Sequence, residues 1–252
     1  MKTQASLLLS TLVLSGAALA QSPAPKAPDP EFTASFNVGV VTDYRYRGLS
    51  QSRLSPAAQA GADIGHKSGL YFGLWASSIR WIKDNDVKGP VEVDIYAGYK
   101  GTAGDLGYDI GVLRYDYVGN KLASVPGAVN ANTNEFYLAG TLGVATLKYS
   151  RSFSNLFGFP DSKGSYYVDG SATIDLGQGF ALVPHVGYQS VAGRTIANYT
   201  DYSLTLTKDL GNGLSASLMV VGTDADKTVY YSPKTGSFTG KTGAVAGLKF
   251  VF

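Results

Sequence analysis

The sequence predicts an all-β chain: a transmembrane, antiparallel, up-and-down β-barrel of about twelve strands, within a range of roughly ten to fourteen. Three observations predict it. Apolar residues recur with a period of two along most of the chain, short and long connections alternate, and an export signal precedes a strand-rich region that ends on an aromatic residue.

The export signal comes first in the chain. Lys2 supplies a positive start, Leu7 to Leu19 is apolar and broken only by small residues, and Ala18-Leu19-Ala20 reads as a cleavage site before Gln21. That is the pattern of a secretory signal peptide over 1–20, with an apolar part too short for a membrane-spanning helix. A buried N-terminal helix is the plainer alternative. Residues 21–31, QSPAPKAPDPE, carry Pro at 23, 25, 28 and 30 and read as an extended periplasmic leader. Residues 32–252 are then the barrel, and the expected location is the bacterial outer membrane. The chain has no Cys, so neither a Cys-linked lipid anchor nor a disulfide framework is available.

Composition narrows the function classes. Basic and acidic residues number 21 and 19, so there is no basic excess of the kind nucleic-acid binding needs. No stretch reaches the ~18 apolar residues of a spanning helix. The 31 Gly, 17 Tyr and 11 Phe suit tight turns and aromatic strands.

The strands follow from alternation. In Ser35 to Arg47 one face carries Phe36, Val38, Val40, Thr42, Tyr44 and Tyr46, and every charge (Asp43, Arg45, Arg47) falls on the other. In Val91 to Lys100, Val93, Ile95, Ala97 and Tyr99 oppose Glu92, Asp94, Tyr96 and Lys100. Tyr166 to Leu176 separates Tyr166, Val168, Ala172, Ile174 and Leu176 from Tyr167, Asp169, Ser171, Thr173 and Asp175. The last segment sets Ala244, Ala246, Leu248, Phe250 and Phe252 against Gly243, Val245, Gly247, Lys249 and Val251. Twelve such segments start near Ser35, Ala57, Leu70, Val91, Leu106, Asn134, Thr146, Ser165, Phe180, Tyr199, Leu214 and Thr242. Each has roughly the ten residues that cross a bilayer at a tilt.

The connections supply independent support. The short set is 66–69, 100–105, 143–145, 176–179 and 210–213; the long, polar set lies near 48–56, 83–90, 118–133, 154–164, 190–198 and 222–241. Strict alternation is the layout of outer-membrane barrels, with tight periplasmic turns and longer external loops. Gly and Asn in the tight turns supply the positive φ angles of two-residue hairpins. An even strand count puts both ends of the barrel in the periplasm. Alternation alone does not separate inside from outside, so a soluble barrel or sandwich is the competing fold. The export signal, the alternating connection lengths and the aromatic end favour the membrane. Leu248, Phe250 and Phe252 resemble a C-terminal assembly signal for the barrel assembly machinery.

Several segments are similar to one family. VTDYRYRGLSQS (41–52), SGLYFGLWASSI (68–79), EVDIYAGYKG (92–101), YDIGVLRYDY (108–117) and HVGYQ (185–189) resemble, in order, the TorF family of proteobacterial porins. Their first strand and loop typically read S-D-Y-R-[YF]-R-G-[IL]-S-Q. This chain departs at Thr42, where Ser is usual, and after Tyr117, where Val118 stands in place of a common Pro. The resemblance spans most of residues 32–252. It implies an outer-membrane barrel with a pore role, and it carries over no catalytic or binding residue.

The residues expected to line a pore are Asp43, Arg45, Arg47, Glu92, Asp94, Asp109, Glu135, Lys148, Asp169, Asp201 and Lys249, all on the polar face. They form either an open channel wall of mixed charge or a plugged interior of paired charges. Both arrangements keep ions off the lipid face, where a midplane Arg or Lys costs ~2–4 kcal/mol. Arg80 and Arg114 share the parity of the lipid face. They either reach the interface and its lipopolysaccharide phosphates or turn inward at a β-bulge. Arg151, on the same parity and nearer mid-strand, finds no account.

Catalysis finds little support. His66 falls in a tight turn, and His185 lies on the lumen parity with no Ser-His-carboxylate pattern around it. Metal ligands at useful spacing are lacking, and no cofactor is expected. The expected function is passive diffusion of small polar solutes or ions, with outer-membrane lipid and lipopolysaccharide as surroundings. A structural or adhesive barrel with a plugged lumen is the alternative, and a barrel enzyme acting on lipid stands third.

Overall fold

The computed structural model describes residues 30–252; the expected signal peptide and most of the Pro-rich leader lie outside them. Fifteen strands occur: β1 (Phe32–Val41), β2 (Arg45–Tyr46), β3 (Leu49–Ser50), β4 (Ala57–His66), β5 (Leu70–Ser78), β6 (Val91–Ala103), β7 (Leu106–Tyr117), β8 (Thr133–Leu142), β9 (Ala145–Ser152), β10 (Tyr166–Ala172), β11 (Ile174–Gly177), β12 (Phe180–Ser190), β13 (Tyr199–Gly211), β14 (Leu214–Thr223) and β15 (Gly243–Val251). β2 and β3 form a small separate ribbon, and β10 and β11 are two halves of one crossing. The remaining strands pair with their sequence neighbours, and β1 pairs with β15, so the sheet closes as a twelve-stranded antiparallel barrel. Closure leaves no edge whose N–H and C=O groups would go unpaired. Among the described residues no helix is long and apolar enough to cross a membrane, which says nothing of a barrel.

The expected strand starts fall within three residues of those observed, and the alternation of connections holds throughout. Short turns at 67–69, 104–105, 143–144, 178–179 and 212–213 mark one end, and long connections at 42–56, 79–90, 118–132, 153–165, 191–198 and 224–242 mark the other. The DLG-x-G turns share one chemistry. Gln178-Gly179 and Asn212-Gly213 both take positive φ, as a two-residue hairpin requires. Asp175 and Asp209 each accept the N–H of the glycine two residues on, both at 2.8 Å.

The break between β10 and β11 has a local cause. Pro184 of β12 would oppose Ala172, and a proline brings no N–H to the ladder. Pairing lapses there and resumes at Ile174, while the Thr173 N–H turns to the carbonyl of Val144 at 2.9 Å.

The apolar parity faces outward. Val38, Val40, Ile110, Val112, Leu138 and Leu204 are exposed on the barrel's outer surface, whereas Glu92, Glu135 and Asp201 on the opposite parity are buried inside it. Of the two alternatives for Arg114, the outward one holds. The β6–β7 ladder runs without a register shift from Glu92–Tyr117 to Ala103–Leu106, and Arg114 pairs with Asp116 at 2.6 Å. Arg80 lies beyond the end of β5, exposed in the 79–90 connection. Arg151 is the penultimate residue of β9, at the long-connection end rather than mid-strand, with its guanidinium beside the Gly164 backbone. His66 ends β4 instead of lying in the turn.

The main correction concerns the first crossing. The alternation of Ser35 to Arg47 predicted one strand with Tyr44 and Tyr46 on the lipid face. β1 ends at Val41, and the chain then bends into the barrel, so that Tyr44 is buried and Tyr46 packs against the same interior cluster.

Candidate functional site

The inward segment is built from a two-residue turn. Tyr46-Arg47-Gly48-Leu49 places Arg47 at φ 46° and Gly48 at φ 78°. Two successive positive φ values let β2 and β3 pair with matching twist, with Arg45 opposite Ser50 and Tyr46 opposite Leu49. Gly48 also permits close approach: a Cβ there would sit 2.6 Å from Cβ of Asp201 on the far wall. The ribbon therefore reaches from the β1–β4 side to β13.

Its base is held by short polar contacts. Asp43 accepts the hydroxyls of Ser50 at 2.5 Å and Ser52 at 3.0 Å, and it also pairs with Arg45. Arg45 donates onward to the carbonyls of Gly48 and Lys241, each at 2.9 Å. Tyr44 packs edge-on to Trp75 and donates its hydroxyl to Glu92 at 3.0 Å.

The tip is Arg47. Its guanidinium donates to both carboxylate oxygens of Glu135 on β8, at 3.1 and 2.7 Å, and to the Gln189 side-chain carbonyl on β12 at 2.8 Å. Gln189 is oriented by its own amide, which donates to the carbonyls of Tyr166 and Ser190. The Arg47 plane lies over the rings of Tyr167 (4.4 Å) and Tyr46 (4.9 Å), and the Tyr115 hydroxyl donates to Glu135 at 3.1 Å. A planar, forked cation fits a carboxylate and aromatic faces at once, which a lysine would not.

Two cavities border the ribbon, and a third lies farther along the interior. The outer one, about 290 Å³, sits between the ribbon and the long connections and is lined by Tyr46, Arg47, Trp81, Tyr117, Tyr199 and Tyr230, among others. The inner one, about 360 Å³, shares Tyr46 and Arg47 with it and adds Arg45, Asp94, Lys148, Asp169, His185 and Asp201. The third, about 420 Å³, shares Lys148 and continues to Lys100, Tyr108 and Asp109 near the short-turn end.

All of the polar-face residues named from the sequence on barrel strands keep the inward parity, but they do not form one cluster. Glu92 and Glu135 are taken up by the ribbon. Asp169 and Asp201 flank His185, at 3.8 and 3.6 Å from its two ring nitrogens, and Asp201 also accepts the Tyr167 hydroxyl at 2.8 Å. Asp94 lines the inner cavity, with one oxygen buried and unpartnered. Asp109 accepts the Tyr71 hydroxyl at 2.6 Å, and Lys148 sits 4.2 Å over the Tyr137 ring. Lys249 stands apart, exposed near the short-turn end of β15. His185 accepts or donates a hydrogen bond with Tyr167 at 3.3 Å, and no serine hydroxyl among the described residues bonds to it.

Sequence reasoning missed Gln189, Tyr167 and Phe157 as partners of Arg47, and Tyr115 as a partner of Glu135. For the connection near 222–241 the sequence leaves two alternatives, an inward constriction or an outward contact surface, and the structure shows the inward one, a lid with Tyr230 and Phe238 packed against Leu49 and Tyr199. Tyr230 packs edge-on to Tyr199 at 5.1 Å and donates its hydroxyl to the Ala197 carbonyl at 2.6 Å. Burial pushes that phenol above its ordinary range, which keeps it a donor. Ser50 N–H donates to the Thr239 carbonyl at 3.0 Å, so lid and ribbon are tied. The only usable signals were the aromatic residues Tyr230, Tyr231 and Phe238 in a long polar loop.

Comparison with known proteins agrees with the fold. The family described as "Bacterial protein of unknown function (Gcw_chp)" matches residues 25–252. No curated protein matches. Among solved structures, the KdgM porin in complex with disordered oligogalacturonate is similar with a TM-score of 0.53 at 11% identity, over 86% of this chain and 99% of that one. The NanC porin is similar with a TM-score of 0.51 at 10% identity, over 87% and 98%. At such identities the likeness is one of fold.

Proposed function

We propose that this chain, which belongs to the Gcw_chp family of bacterial proteins of unknown function, is a narrow porin-like channel of the outer membrane that passes small polar solutes or ions. One observation carries the reading. Three cavities follow one another inside a closed barrel, the outer and inner ones sharing Tyr46 and Arg47 of the ribbon and the inner and third sharing Lys148.

The exposed apolar outer surface supports a membrane setting, since water would have no use for a belt of Val, Ile and Leu around the whole barrel. The export pattern at residues 1–20 and the resemblance of residues 41–52 to TorF-type porins support the outer membrane. The ribbon turn is itself that resembling motif. KdgM and NanC carry the name porin, which agrees with the reading.

In this reading the wall residues act as fixed charges in a low-dielectric passage, where fields are strong. Asp94, Asp169 and Asp201 share the wall of the inner cavity with Arg45, Arg47, Lys148 and His185, so neither sign dominates. The ribbon sets the width. A second reading, a structural barrel with a plugged lumen, is favoured by the burial of Arg47 against Glu135. The two part on one test: proteoliposomes carrying the refolded barrel swell in small polar solutes such as arabinose or glycine if the passage is open, and behave as empty liposomes if it is plugged.

A further inference from the structure

We propose that the outer cavity is a binding site for a neutral sugar ring, an uncharged polyhydroxylated solute held above the Arg47 ribbon before passage; it rests on the channel reading for the route by which the solute leaves.

Among the described residues lining this cavity the only charged ones are Arg47 and Asp84. Arg47 is neutralised by Glu135, and Asp84, 3% exposed, pairs with Arg53. An anion meets no free cation there, and a cation meets no free carboxylate. Desolvating either without a counter-ion is costly, so the cavity selects uncharged solutes.

The walls come next. Trp81 stands edge-on to Tyr117 at 5.3 Å, and Tyr230 stands edge-on to Tyr199 at 5.1 Å and to Phe159 at 6.2 Å. Ring faces and edges of this kind suit the C–H surfaces of a pyranose. Two residues of this wall carry donors that the barrel leaves unused, both covered as the walls stand. The Trp81 indole N–H and the Ser232 hydroxyl are buried without any protein partner, and Ser232 is 2% exposed. Buried polar groups are almost always satisfied, and orphans within a cavity wall call for a ligand atom or water. A purely apolar solute would leave both unmet. At about 290 Å³ the cavity is at the small end of ligand sites, on the scale of a single sugar ring.

Trp75 and Trp81 are the chain's two tryptophans, so Trp75→Phe in the full barrel leaves one indole, in the cavity wall. The test titrates this protein in detergent with glucose and methyl glucoside, and separately with glucuronate and glucosamine at constant ionic strength. The proposal expects a saturable change in Trp81 emission for the neutral sugars, with half-saturation at least about fivefold weaker for the charged ones. Ser232→Ala should weaken neutral-sugar binding roughly two- to tenfold while leaving the heat-denaturation midpoint of the sugar-free barrel unchanged or higher, because the lost hydroxyl had no partner. Calorimetric titration of the unsubstituted barrel with methyl glucoside gives the same answer should Trp75→Phe not fold. Absence of saturable binding of either neutral sugar to folded barrel, or equal binding of glucuronate, overturns the site. A barrel that conducts but does not bind removes the site and keeps the channel; one that binds but does not conduct keeps the site and removes the channel.

Discussion

Arg47 and Glu135, 88 residues apart in sequence, meet inside the barrel through two parallel hydrogen bonds of 3.1 and 2.7 Å, each side chain almost wholly buried. The cation comes from a ribbon folded inward and the anion from the opposite wall, so the pair spans the lumen.

Removing one partner strands a buried charge. Arg47→Met or Glu135→Leu should destabilise the barrel by about 3–5 kcal/mol, whereas the two combined should recover most of that loss. The midpoint of thermal unfolding, followed by circular dichroism, measures each corner of this cycle. Additive losses in the double variant would mean that the two side chains do not share one interaction.

The lid is predicted to narrow the outer mouth without holding the barrel together. Residues 228–238 contact the ribbon and the 191–198 connection, but the β14–β15 ladder from Val221–Gly243 to Leu214–Phe250 does not depend on them. Deleting Thr228 to Phe238 should raise conductance and leave the β-rich circular dichroism spectrum intact. Loss of the folded barrel would show that the lid is structural.

Phe252 closes the seam. It exchanges two backbone hydrogen bonds of 2.9 Å with Phe36 and stacks on the rings of Phe36 and Phe250. If it is also read by the assembly machinery, deleting it should reduce insertion in cells far more than it lowers the stability of refolded barrel. Equal effects on both would leave only the packing role.

Closure itself predicts slow, cooperative unfolding, because no strand can leave without breaking a ladder on each side. Unheated protein in detergent should therefore migrate differently from boiled protein on a gel. Identical migration, with the protein recovered in the soluble periplasmic fraction, would contradict a membrane barrel.

Most of the barrel was legible because each crossing repeats the same local signals: alternation, a length of about ten residues, and a glycine turn at one end. Those signals are short-range, and single segments carry them. The ribbon was misread for the same reason. Thr42, Tyr44 and Tyr46 continue the period of β1, and the period does not register that the chain has bent. The turn chemistry of Arg47-Gly48 was present in the sequence, but it fell where a strand was expected to end in a loop. The pairing of Arg47 with Glu135 and Gln189 was beyond reach, since a polar parity says which residues face inward and not which of them meet. The β10–β11 break also went unread, since Tyr166 to Leu176 alternates without interruption and its cause, Pro184, lies on the neighbouring strand.

Single-channel recording of the refolded barrel in a planar bilayer tests the central claim, that the Arg47 ribbon is the constriction of an open passage. The account predicts small, steady conductance for the natural chain and a larger conductance for Arg47→Ala. Under a salt gradient that variant's reversal potential should shift toward cation selectivity, since the inner cavity keeps its aspartates and loses an arginine. A folded, inserted, heat-modifiable barrel that conducts nothing as the natural chain, as Arg47→Ala or without residues 228–238 would contradict it.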